Sequence, residues 1–256
     1  MRAPDELRAL VEESLAELSL DPTLGALEEP IRYALGGGGK RIRPVLCLAV
    51  CEAAGSPAEA AAPPATALEL VHTFSLVHDD LPALDDDDER RGRPSVHVAF
   101  GEAVALLAGD ALLAEAFALA GRSGRPELVR ELAGATLGMI GGQYLDVTGA
   151  QMQLEELHRL KTGRLFAAAV GLGLWAADVP PEHQGPWRAF GDELGVLFQA
   201  VDDVLDGDGS AAELGADGAR QLAGEAAERA HEKLAALEAD TAVLGELVDG
   251  LAVRTV

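Results

Sequence analysis

Thr66-Ala67-Leu68-Glu69-Leu70-Val71-His72-Thr73-Phe74-Ser75-Leu76-Val77-His78-Asp79-Asp80 is the stretch from which the fold can be read. Leu68, Val71, Phe74 and Val77 recur at helical spacing, with Leu70 and Leu76 filling in, so the spacing predicts a buried helix. That helix runs into a carboxylate pair at Asp79 and Asp80. Pro82 disfavours helical geometry at Leu81 and ends it. Seven acids among the eleven residues from Asp79 to Glu89 are followed at once by Arg90, Arg91 and Arg93. Carboxylates gathered at the end of a core helix repel one another unless a cation holds them. The simplest such cation is a hard divalent metal bound through oxygen, with the arginines ready for phosphate.

A second acidic helix follows far downstream at Phe198-Gln199-Ala200-Val201-Asp202-Asp203-Val204-Leu205-Asp206. Asp202 and Asp206 are four apart and Asp203 and Asp206 three apart, so a helix gathers the three carboxylates on one face. Gln199 falls on that face one turn earlier, and Val201, Val204 and Leu205 are expected to point into packing. Two acid-bearing apolar helices make a pair of jaws.

The basic counterpart lies upstream. Gly36-Gly37-Gly38-Gly39-Lys40-Arg41-Ile42-Arg43-Pro44 offers backbone amides that an anion can approach closely, with Lys40, Arg41 and Arg43 adding charge. A diphosphate fits such a loop; a flexible turn carrying exposed basic residues is the plainer reading. Leu157 to Arg164 is a second basic stretch, in which Lys161 and Thr162 precede an apolar helix whose first amides can hold phosphate.

Composition narrows the partners. The chain has 256 residues, 48% hydrophobic and only 4% aromatic, with a net charge of 20 − 43 = −23. That acidity argues against nucleic acid or an anionic membrane. Cys47 and Cys51, four apart on a predicted helix, suit packing in a reducing compartment better than a disulfide. No signal-like run opens the sequence, and the longest charge-free apolar run, Leu165 to Ala177, is shorter than the ~20 residues a bilayer requires. A cytoplasmic location is expected. Helices are predicted over about 5–19, 25–35, 43–54, 102–120, 126–140, 165–176, 183–206, 219–237 and 241–252. Asp110 is expected to be a buried structural residue within its apolar helix. Gly141-Gly142 is expected to mark a kink or a close helix approach. No strand-like alternation stands out, so the class is all-α, with residues 1–256 as one helical domain.

With these pieces named, the chain resembles the trans-isoprenyl diphosphate synthases of the polyprenyl synthetase family. Five segments carry the resemblance in the family's order. They are Gly38 to Pro44, the Asp79 motif with Arg90-Arg91-Gly92, Gly141-Gly142-Gln143 with Asp146, Lys161-Thr162-Gly163, and Phe198-Gln199 with Asp202, Asp203 and Asp206. The resemblance implies a helical bundle with a central cavity between the two acidic helices. It implies isopentenyl diphosphate and an allylic diphosphate as substrates, joined with the help of magnesium, three ions per site. Asp79, Asp80, Asp85, Asp202, Asp203 and Asp206 become the expected metal ligands. Arg90 and Lys161 are expected on the allylic diphosphate, and Lys40, Arg43, His72 and Arg91 on the isopentenyl one. Thr162 and Gln199 would offer dipoles to the carbocation. Phe74 and Ser75, the fifth and fourth residues before Asp79, fall where the family sets product length. A bulky ring at 74 favours the fifteen-carbon farnesyl product, with the twenty-carbon geranylgeranyl product as the alternative. A homodimer is likewise implied.

One segment departs from the family pattern. Relatives continue after the last aspartate with a lysine-bearing loop, whereas here no lysine occurs between Lys161 and Lys233. A catalytically weak partner subunit is therefore a competing expectation. A terpene cyclase would share the helical fold but replace the second acidic motif and have no need of Lys40 and Arg43.

Overall fold

The computed structural model describes residues 1–149, 160, 163–206 and 209–253, with only the backbone described at 206, 209–214 and 216. Eleven α-helices are described: α1 (Pro4–Ala16), α2 (Glu28–Leu35), α3 (Ile42–Ala53), α4 (Ala62–Asp79), α5 (Val96–Phe100), α6 (Glu102–Gly121), α7 (Pro126–Thr148), α8 (Arg164–Ala176), α9 (Gly185–Asp206), α10 (Gly209–Ala235) and α11 (Ala242–Ala252). The class is all-α.

α4 is the axis of the bundle. Pro63 and Pro64 sit in its first turn, where a missing N–H costs nothing. It packs against α3, α6 and α8, and Leu68, Leu70 and Val71 are fully enclosed. Burial of each such side chain stabilises the fold by about 1.5–3 kcal/mol. Phe166 of α8 and Phe190 of α9 are the largest fully buried side chains. α8 and α9 approach closely at Gly195, where a Cβ would lie 3.0 Å from the Gly163 Cα. That contact fixes the helix bearing Asp202 against its neighbour.

Several expectations are corrected. α7 runs on past Gly141 and Gly142 to Thr148, so the pair does not end the helix; open space surrounds Gly141, whereas Gly142 is buried. Leu205 is 51% exposed and not packed inward. α10 begins at Gly209, earlier than predicted, and bends at Gly215. A two-residue antiparallel pair, β1 (Glu89–Arg90) with β2 (Arg93–Pro94), follows the acids. Arg91 and Gly92, both at positive φ, form its two-residue turn. The bilayer test also changes. α6, not Leu165 to Ala177, is the stretch long and apolar enough by length and composition to cross a membrane. Half of that stretch is buried against the rest of the protein. Its Glu115, 5% exposed, accepts the Asp21 N–H at 2.6 Å.

Candidate active site

α3, α4, α6, α7, α8 and α9 surround a cavity of about 1150 Å³. α4 contributes His72, Phe74, Ser75 and Asp79, and α9 contributes Phe198 and Asp202. Lys40, Arg43 and Arg91 enter the same space from the glycine loop, the start of α3 and the hairpin. The two jaws and the basic loop therefore meet in one place. Leu113, Met139, Ile140 and Leu165 line the remaining wall.

The aspartates of each pair divide, because neighbours on a helix point about 100° apart. Asp79 faces the cavity, whereas Asp80, 2% exposed, takes the Arg90 guanidinium at 2.5 and 2.6 Å. Asp202 faces the cavity, whereas Asp203 is buried and accepts the Gln199 amide N–H at 2.7 Å. Asp80 and Asp203 thus stand behind the two facing carboxylates, and Gln199 orients Asp203 instead of reaching into the cavity. Asp85 stands in solvent, its N–H donating to the Asp79 carbonyl at 2.9 Å. Arg90 is drawn to Asp80 and also lies 3.6 Å from Asp87. Lys161 and Thr162, and the Asp206 side chain, lie outside the described residues.

The basic loop divides in the same way. Arg41, at φ 49°, turns inward to Glu69 at 2.5 Å, Glu12 at 2.9 Å and the Leu35 carbonyl at 2.6 Å. It anchors the loop, and Lys40 and Arg43 are the residues presented to the cavity. The Arg43 guanidinium stacks 4.7 and 5.0 Å from the Phe166 and Phe198 ring centres. Its Nη1 donates to His72 Nε2 at 3.4 Å, while its buried Nε has no partner among the described residues. Burial lowers its pKa to about 10, partly offset by Glu69 and Asp202, so it stays charged at neutral pH. Arg91 donates to the Gly38 carbonyl, and a Cβ at Gly39 would lie 2.7 Å from its Nη1.

His72 is held well below its ordinary 6.5 by burial first, then by Arg43 and Arg91. It is therefore neutral at pH 7 and accepts from Arg43. Between its native and unfolded pKa the unfolded chain binds the proton and the native one does not, so stability falls as pH drops from about 6.5. From pH 6.5 to 5.5 this group removes up to about 1.4 kcal/mol per pH unit. Urea midpoints across that range should drop less in His72→Gln; an equal pH slope in both proteins would overturn the assignment.

Three cavity residues carried no assigned role in the sequence. Asp110, expected to be buried, lines the cavity with its side chain 60% exposed. Gln143 points in, with both amide atoms buried and lacking partners among the described residues. Its glycine-glycine-glutamine context was the available signal. His78 also faces the cavity, and its position just before Asp79 hid it.

Unpartnered Arg43 and Gln143 atoms beside two facing carboxylates fit a polyanion with a counter-cation. Among the described residues no three of His, Cys, Asp and Glu gather closely enough to cage a metal alone. Magnesium needs no such cage, since it binds through one or two carboxylates plus substrate phosphates. Asp79 and Asp202 are a donor set of that kind.

The sequence profile described as polyprenyl synthetase matches residues 25–223. Over 205 residues the chain is 42% identical to the farnesyl diphosphate synthase of Bacillus subtilis (strain 168), covering 74% of this chain and 69% of that protein. Over 216 residues it is 41% identical to a geranylgeranyl diphosphate synthase of Cyanophora paradoxa, covering 78% and 72%. An FPP/GFPP synthase crystal structure from Zymomonas mobilis superposes with a TM-score of 0.83 at 32% identity, covering 98% of this chain and 99% of that one. The cavity with its paired acidic helices, the matched profile and these relatives agree: the chain belongs to the polyprenyl synthetase family of trans-prenyl diphosphate synthases.

Proposed function

We propose that the protein condenses isopentenyl diphosphate with dimethylallyl or geranyl diphosphate and releases farnesyl diphosphate. The observation that carries this reading is the convergence of Asp79 and Asp202 with Lys40, Arg43 and Arg91 in one apolar-walled cavity. Magnesium held by Asp79 and Asp202 would supply Lewis-acid neutralisation of charge building on the leaving diphosphate. Arg43 and Arg91, with Lys40, bind the second diphosphate, and neutral His72 keeps the Arg43 fork oriented. The leaving diphosphate itself takes the final proton, so no side-chain base is required.

Phe74 supports the fifteen-carbon product. Its ring is 7% exposed and stands on the cavity wall five residues before Asp79. Ser75 beside it donates to the His72 carbonyl at 2.9 Å and adds no bulk. Incubation with magnesium, labelled isopentenyl diphosphate and a five-, ten- or fifteen-carbon primer tests the reading. Farnesyl diphosphate from the two shorter primers is expected, with little product from the longest. Phe74→Ala should shift the products toward twenty carbons. Geranylgeranyl diphosphate from the native protein would overturn the length assignment, and no product from any primer would favour a partner-subunit role.

A homodimer is proposed on a surface pattern. Leu106 and Leu107 of α6 and Leu137 of α7 are exposed outside the cavity. Three large exposed leucines on neighbouring helices favour a covering partner, and a two-fold pairing covers the same patch on both copies. Sedimentation of the native protein should give twice the chain mass, and Leu107→Glu should lower it.

A further inference from the structure

The hairpin that presents Arg90 and Arg91 is too small to hold itself. Two residue pairs, Glu89 with Pro94 and Arg90 with Arg93, span it, and Pro94 has no N–H to give. A two-stranded hairpin is marginal in water even at greater length. Its turn also sets Arg91 in left-handed backbone at φ 54°, which a residue with a Cβ disfavours. The hairpin therefore needs a grip from outside, and α2 supplies one. The Tyr33 hydroxyl donates to the Pro94 carbonyl at 2.8 Å. The Arg93 guanidinium lies over the Tyr33 ring, 4.1 Å from its centre. Phe100 of α5 meets the same ring at 77°, with centres 5.2 Å apart, and braces it. Five residues beyond Tyr33, the Gly38 carbonyl accepts from Arg91. One segment thus holds the hairpin both at the end of β2 and at its turn.

We propose that Tyr33 is a positioning residue for diphosphate binding: its hydroxyl and ring lock β2, and through β2 the turn, so that Arg91 meets the cavity already placed. A pre-placed guanidinium loses little freedom when an anion arrives, whereas a loosened hairpin has to be ordered by the ligand itself. Tyr33 stands outside the cavity that Arg91 lines, against the opposite side of the hairpin in a small space walled by Arg90, Arg93 and Ser95. It acts through the hairpin and not by touching substrate. The inference rests on the reading that Arg91 binds isopentenyl diphosphate.

Calorimetric titration with isopentenyl diphosphate, without magnesium, tests it in the native protein, Tyr33→Phe, Tyr33→Leu, Arg91→Ala and Tyr33→Leu combined with Arg91→Ala. Tyr33→Phe keeps the ring and loses the hydrogen bond, so Kd should rise by about threefold. Tyr33→Leu loses both grips and should raise Kd by about tenfold or more. The double variant should bind within about twofold of Arg91→Ala, because Tyr33 works through that arginine. A residue that served the fold alone would lower the melting temperature and leave Kd where it was. Native affinity in Tyr33→Leu, or a double variant weakened by the product of the two single effects, would overturn the proposal. Should Tyr33→Leu fail to fold, Arg93→Gln, which removes the charge over the ring, decides together with Tyr33→Phe, and native affinity in both would overturn it. Failure of the native protein itself to bind isopentenyl diphosphate would instead overturn the functional reading, and this proposal with it.

Discussion

Asp79→Asn and Asp202→Asn are each expected to lower kcat by on the order of 10²–10³, leaving the melting temperature close to native. Both carboxylates face the cavity from different helices, so neither replaces the other. Asparagine keeps the shape and one acceptor oxygen but removes the charge that draws a divalent cation. Folding should survive, because removing one of two like-charged groups relieves repulsion. Removing Asp79 with Asp80, or Asp202 with Asp203, tests the chemistry less cleanly. Asp80 lies buried under Arg90 and Asp203 under Gln199, and their loss leaves those partners without acceptors. Activity within tenfold of native in either single variant would remove the two-jaw mechanism.

Arg43→Leu is expected to raise KM for isopentenyl diphosphate by about 10²-fold or more while the protein stays as stable or gains about 1 kcal/mol. The sign on stability follows from the lowered pKa of Arg43, about 10, which records that burial penalises its charged form. Leucine fills the slot between Phe166 and Phe198 without that penalty. The binding loss follows from the planar fork, whose Nε has no partner among the described residues and whose Nη1 reaches His72. Arg43→Lys should recover only part of the loss, because an ammonium cannot offer two parallel donors or stack on rings. Initial-rate kinetics with the allylic primer saturating separate this KM effect from kcat. An unchanged KM for Arg43→Leu would place the second diphosphate elsewhere.

Much of this architecture is legible in the sequence. The apolar period from Leu68 to Val77 locates the central helix, and the acids at 79 and 202 locate both jaws. Lys40 and Arg43 mark the basic loop. What is not legible is direction. Asp79 and Asp80 are chemically alike, but a rotation of about 100° sends one to the cavity and the other into the protein. Arg41 and Arg43 read as equal charges, and only the left-handed backbone at 41 turns that guanidinium to Glu12 and Glu69. Arg90 ends a strand and Arg91 opens the two-residue turn that follows, where pattern reading shows only a charged run. Asp110 misled for another reason: apolar neighbours signal burial, but one flank of α6 borders the cavity.

The layout of α4 has a consequence for how such proteins diversify. Asp79 is the last residue of that helix and Phe74 lies five residues earlier, about 7.5 Å along the axis. The groups that start the reaction and the ring beside the hydrocarbon path share one rigid rod without touching the same atoms. On the proposed function, a heritable change at 74 alters which isoprenoid leaves while ionisation proceeds as before. A lineage can then exchange one product for another in a single substitution, with no inactive ancestor between them.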